Sequence, residues 1–140
     1  MEPAEIVRRM MHHDAFSQWL GIEVAEVREG YCCLRMPVRA DMLNGFYILH
    51  GGVAFAMADS CFAFASNSRG MLSVSLQASM NYLIACKEGD VLIAESKEIA
   101  LTRSSAHLDI EIRKEGDAQL CSLFRGVAHR MQRPTFEDTP

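Results

Sequence analysis

The chain has 140 residues, 49% hydrophobic and 23% charged, which suits one domain around one core. A net charge of −4, with basic residues scattered singly or in short groups, excludes a general nucleic-acid binder. Five cysteines without CxxC spacing, an acidic start with no apolar leader and no apolar run of bilayer length point to a reduced, cytoplasmic protein with no membrane contact.

In chain order, a first helix is expected over residues 4–19, on a rough apolar stripe of Ile6, Met10, Ala15 and Trp19, and Gly21 ends it. Residues 22–29 alternate with period two, Gly30 turns the chain, and residues 31–38 form a second strand running into Pro37. Cys32 and Cys33 are adjacent there, so their side chains point to opposite faces. A connector, residues 40–45, leads to a central helix over about 51–68 that stops near Gly70. Strand then follows strand: 72–82, 90–100, 105–114 and 118–130, with Glu115-Gly116-Asp117 as a hairpin turn. The polar tail, residues 132–140, is expected to fray. No repeat or linker divides the chain, so residues 1–140 form a single domain. Strands around one long apolar helix make an α+β fold.

The central helix carries the most informative residue. Between Met42 and Ser68 the only formally charged side chain is Asp59. A helix apolar on nearly every side is a buried helix. An acid in it is either held by donors for structural reasons or kept for chemistry, because burying an ionised carboxylate without partners is costly.

His50-Gly51-Gly52 opens the same helix. Its first amides lack internal partners and its dipole favours negative charge, so the Gly51 N–H suits a carbonyl oxygen becoming an oxyanion, and Gly52 lets a ligand approach the backbone. The plainer alternative is that both glycines only permit a tight turn or close packing. Eight residues along a helix correspond to roughly 12 Å, so one carbonyl group cannot touch Gly51 and Asp59 of the same helix. If both serve one reaction they come from two copies, with antiparallel helices about a two-fold axis. Asn44 and His50 flank the connector and either orient a water or simply serve the turn and the helix start. Ser66-Asn67-Ser68 reads as a helix-ending cluster. Cys61, surrounded by apolar residues, is a poor nucleophile because such surroundings disfavour the thiolate. Histidine spacing fits no metal site, and no residue frame requires a cofactor.

Met42-Leu43-Asn44-Gly45, His50-Gly51-Gly52, Ala58-Asp59-Ser60 and Asn67-Ser68-Arg69-Gly70, with Phe124-Arg125-Gly126 and His129-Arg130 near the end, together resemble the hotdog-fold acyl-CoA thioesterases, most of all the phenylacetate-degradation subgroup. The resemblance covers roughly residues 10–131. It implies a long central helix wrapped by a curved antiparallel β-sheet, an acyl-CoA substrate, a homodimer doubled to a homotetramer, and sites at the subunit interface. It carries the catalytic carboxylate to Asp59, the carbonyl-polarising amide to Gly51 and the placing of the nucleophile to Asn44 and His50. Ser75, on the next strand, is a further match.

Phe46 and Tyr47, then Phe55, Met57 and Phe62, are candidate acyl-pocket residues, with core packing the plainer role for Phe55 and Phe62. Arg69, Arg103 and Arg125 are candidates for the coenzyme A phosphates. The chain departs from the family pattern at Ile84-Ala85-Cys86, where a basic residue and a proline are usual, and in the more apolar Phe46–Leu49 connector. Two other functions fit the fold: a non-catalytic acyl-CoA-binding or regulatory protein, and an acyl-thioester dehydratase or hydratase. The first gains nothing from a buried acid. The second pairs its acid with a histidine on the same helix, and no histidine follows His50 here.

Overall fold

A computed structural model describes residues 1–137. Its elements are α1 (Pro3–His13), α2 (Ala15–Leu20), β1 (Glu23–Arg28), β2 (Tyr31–Pro37), a 3-10 turn (Ala40–Met42), α3 (Gly51–Asn67), β3 (Met71–Tyr82), β4 (Val91–Leu101), β5 (Ser105–Lys114) and β6 (Leu120–Pro134). The single helix expected over 4–19 is two helices. Asp14 leaves the helical region (φ −90°, ψ 81°) and caps α2 by accepting from the Ser17 N–H at 2.9 Å. Aspartate favours this position because its carboxylate satisfies an amide that has no internal partner. Gly21 closes α2 in the left-handed conformation, as the sequence suggests.

The six strands form one antiparallel sheet in the order β1-β2-β4-β5-β6-β3. β4, β5 and β6 meander. β3 does not pair with the strand that follows it in sequence; it lies along β6 at the far edge. The tail departs partly from expectation: Gln132, Arg133 and Pro134 belong to β6, and the Thr135 N–H donates to the Gly70 carbonyl at 3.0 Å. Residues 138–140 of that tail lie outside the described residues.

The sheet wraps α3. Met57, Ala58, Cys61, Phe62, Phe64 and Ala65 of the helix are buried against Leu34, Leu92, Leu108, Ile110 and Phe124 of the strands. Burying a phenylalanine or leucine side chain contributes about 1.5–3 kcal/mol, so this face dominates stability. Helix and sheet meet closely at Gly126, where a β-carbon would stand 2.8 Å from the Phe62 ring. Asn67 fixes the C-terminal end of α3: its amide donates to the Ser73 carbonyl at 3.0 Å, and its carbonyl accepts from the Ser73 N–H at 2.9 Å. Among the described residues no helix is long and apolar enough to cross a membrane.

Candidate active site

His50 precedes α3 in extended conformation, and its Nδ1 accepts the Gly52 N–H at 2.8 Å. That bond leaves the proton of the neutral ring on Nε2. It also explains Gly52, because a β-carbon there would lie 3.0 Å from Nδ1. Gly51 has a comparable reason: a β-carbon would come within 3.2 Å of the Tyr82 ring, whose hydroxyl donates to the Gly51 carbonyl at 3.0 Å. Both glycines therefore serve close packing. The Gly51 N–H nevertheless has no acceptor among the described residues. Packing and an open donor coexist at one residue.

The connector is fixed as a tight loop. The Asn44 N–H donates to the Ile48 carbonyl at 2.8 Å, the Leu49 N–H to Cys86 at 2.8 Å and the His50 N–H to Met42 at 2.9 Å. The Asn44 side-chain oxygen accepts from the Phe46 N–H at 2.9 Å, so Asn44 is a turn residue, while its amide nitrogen has no partner among the described residues. Tyr47 takes a left-handed φ of 62° at the loop tip. Phe46 and Tyr47 consequently project outward, 85% and 83% exposed, and line no pocket within one protomer. A pocket of about 280 Å³ opens beside the loop, lined by Asn44, Leu49, Gly51, Ala54, Tyr82 and Cys86 among others. Burial pushes the Cys86 thiol up to about 12, which makes it a poor nucleophile. Cys61, fully buried, is pushed up for the same reason.

Asp59 is outside that pocket. It lies on the side of α3 that the sheet leaves uncovered, with Phe55, Ala56, Ser60 and Ala63, and no donor reaches it among the described residues. Its carboxyl is half-buried. Burial first, and the charge of Asp14 second, hold its pKa above the usual aspartate value. The structural alternative for an acid in this helix was a set of donors around it; the described residues supply none. Ser75 is exposed on the outer strand, β3.

Asn44, His50, Gly51 and Gly52 thus gather at the N-terminal end of α3, Asp59 stands two turns on, and Arg69 lies beyond the opposite end. Seventeen helical residues span about 25 Å, so Arg69 does not reach the pocket of its own protomer. Its guanidinium is committed to Glu98 by two bonds of 2.9 and 2.8 Å, with Glu29 at 3.5 Å. Arg125 is likewise paired with Asp109 at 2.6 and 2.8 Å. Arg103 has no carboxylate partner among the described residues; its Nε meets the Gln132 side chain at 3.4 Å. Tyr82 escaped the sequence reading as a site residue because 31 positions separate it from Gly51 and no spacing signals the contact. A wider groove of about 690 Å³, between α1 and β1, contains none of these residues.

Residues 46–121 match the sequence pattern of the thioesterase superfamily. The acyl-coenzyme A thioesterase PaaI of Escherichia coli is 35% identical over 122 residues, covering 87% of this chain and 86% of that protein. The structure of the E. coli PaaI protein from the phenylacetic acid degradation operon superposes with a TM-score of 0.91 at 32% identity, over 94% of this chain and 95% of the other. A crystal structure of a Thermus thermophilus protein gives 0.81 at 37% identity, over 85% and 99%.

Proposed function

The chain belongs to the thioesterase superfamily, with the hotdog fold of its phenylacetate-degradation subgroup, and from that premise we propose that it hydrolyses an aryl-acetyl or medium-chain acyl-CoA to the free acid and coenzyme A, with Asp59 as the reacting carboxylate. The enzyme class, thioester hydrolase, follows from the family. One observation carries the rest: a half-buried acid on an uncovered apolar helix face, two turns from a helix N-terminal N–H, neither with a hydrogen-bond partner among the described residues.

A thioester has a good leaving group, because a thiol of pKa about 8.5 departs without strong acid help. The site then needs an activated oxygen and a donor for the oxyanion. Asp59 takes a proton from water as the water attacks the carbonyl carbon, and the tetrahedral oxyanion collapses with cleavage of the C–S bond and release of the coenzyme A thiolate. Alternatively, Asp59 attacks that carbon itself, expelling the thiolate to give an anhydride that water then opens to the free acid and the Asp59 carboxylate. The Gly51 N–H stabilises the oxyanion. Asn44, through its free amide, and His50, through Nε2–H, place the carbonyl or the nucleophile. Gly52 and Ser75 border the acyl thioester.

Helix geometry requires the two halves to come from two copies. β3 supports this: twelve residues of unpaired sheet edge with no charged side chain, and Val74 and Leu76 exposed at 43% and 65%. Pairing of two copies along β3 sets their α3 helices side by side and covers Phe55 and Asp59. Phe46 and Tyr47, which line nothing alone, are then available to wall an acyl pocket across the interface. Doubling of that dimer to a tetramer is the assembly we expect. Arg103, which has no carboxylate partner among the described residues, is the most available of the three arginines for a coenzyme A phosphate.

The test is thiol release from a panel of acyl-CoA thioesters by the wild type, Asp59→Asn and Asp59→Ala. Turnover should fall about 10²–10⁴-fold in both variants. Wild-type rates in either one, on every thioester hydrolysed, would remove Asp59 from the mechanism.

A further inference from the structure

The break between α1 and α2 is joined to the catalytic helix by a chain of hydroxyls. Asp14 uses both carboxylate oxygens on Ser17: Oδ1 accepts the backbone N–H at 2.9 Å and Oδ2 accepts the hydroxyl at 2.6 Å. Ser17 is fully buried, and its Oγ lies 2.8 Å from the Oγ of Ser60, the residue after Asp59. A carboxylate only accepts, so Ser17 gives its single hydroxyl proton to Asp14. Ser60 must then be the donor in the next link. The bonds run one way, from Ser60 through Ser17 to Asp14, and end on a negative charge that has no cation partner among the described residues.

We propose that Asp14 is a positioning residue for the hydrolysis: anchored through Ser17 and Ser60, its carboxylate is held on the flank of Asp59 as a second, fixed negative charge. The proposal rests on the reading of Asp59 as the reacting group. A like charge nearby disfavours the ionised form of Asp59, and the direction of the shift at Asp59 agrees. The gain is chemical. An acid that holds a proton more tightly is a better acceptor of one from water, and rates follow that basicity.

Other charged groups around α3 are turned elsewhere. On the neighbouring strands most residues facing the helix are apolar or serine. Of the charged residues on that face, Glu98 pairs with Arg69 beyond the C-terminal end of α3, Lys114 pairs with Asp90, and Arg130 donates to the Thr102 carbonyl. On the outer face Lys97 pairs with Glu111, Arg125 with Asp109 and Arg35 with Glu23 and Glu115. Tyr31 holds Glu95 at 3.0 Å. β3 carries no titratable acid or base of that kind, α1 directs Arg8 and Arg9 onto Glu5, and His12 and His13 are exposed at its end. In the proposed dimer His50 of the second copy also approaches Asp59, and it is the same in wild type and variant.

Asp14→Asn and Asp14→Ser are the variants of choice, because asparagine and serine cap helices about as well as aspartate and so keep α2 folded. Two measurements apply: the acid limb of the kcat/KM–pH profile, and the titration of the Asp59 carboxyl followed by ¹³C NMR. Both should move to lower pH in both variants. Turnover at neutral pH should fall roughly two- to threefold, as expected for a weaker base. A merely structural cap predicts no such movement, and an unmoved limb with an unmoved Asp59 titration overturns the proposal. The NMR titration keeps the two readings apart. Loss of activity in Asp59→Ala with no effect of Asp14 sinks only this inference, whereas activity retained in Asp59→Ala sinks the catalytic reading itself.

Discussion

The two edges of the sheet are built differently. β1 is six residues long, carries Glu23, Glu26 and Arg28, is interrupted by a bulge between Val24 and Glu26, and lies beside α1. β3 is twelve residues long and uncharged, with Val74 and Leu76 exposed, and its register against β6 shifts between Met71 and Ser73 and between Ser75 and Gln77. Both edges are irregular, so the difference lies in length and charge, and charged side chains are how a sheet edge resists pairing with another chain. α3 repeats the contrast between its two sides, one packed into the sheet and one presenting Phe55, Ala56 and Asp59 to the exterior. The bare flank has the character of an interface, and it is the flank that holds the candidate carboxylate.

Four substitutions bear on this contrast. Phe62→Ala, on the packed side, should cost about 3–5 kcal/mol of unfolding free energy, while Phe55→Ala should cost about 1 kcal/mol through its edge contact with Phe124. Denaturant unfolding under dilution that keeps the chain monomeric measures both. Equal costs would mean that the two sides of α3 do not differ. Leu76→Lys should separate the copies in sedimentation and lower hydrolysis about 10²–10³-fold, since each Asp59 then lacks the opposing Gly51 donor. Val24→Lys on β1 should change neither. A fully active Leu76→Lys monomer would end the two-copy site.

The smallest effect concerns stability at Asp59. Its pKa is raised, so the folded state favours the protonated form, and ionisation at neutral pH opposes folding. Stability attributable to this group should therefore rise as pH falls through the raised value. Asp59→Asn, neutral at every pH, should raise the melting temperature at neutral pH by a few degrees and remove that dependence. An unchanged or lowered melting temperature would indicate that donors hold the carboxylate after all.

Much of this was legible in the sequence because it depends on local pattern. The bounds of α3, the presence of β2, β4 and β5 and the turn at Gly116 follow from local pattern and from residues that tolerate a left-handed backbone, whereas the period-two alternation read in residues 22–29 does not appear in the burial of β1, which is exposed along most of its length. Asp59, Gly51, His50 and Asn44 stood out by residue type and by resemblance. What the pattern concealed was partnership across long separations. Arg69 reads as a free cation until Glu98, 29 residues away, is folded onto it. Phe46 and Tyr47 read as pocket residues until the Asn44 turn sends them outward. The break at Asp14 was hidden because the apolar stripe runs on through it.

The sequence by itself determined that one acid lies in an apolar helix and that a glycine-led helix start lies two turns before it, because helical spacing is the same wherever a helix sits. Only the tertiary structure decided which face of that helix stays uncovered, that β3 lies at an open sheet edge, and that Ser17 and Ser60 join Asp14 to α3. These are matters of which distant surfaces meet, and packing between elements, not the periodicity within them, selects those.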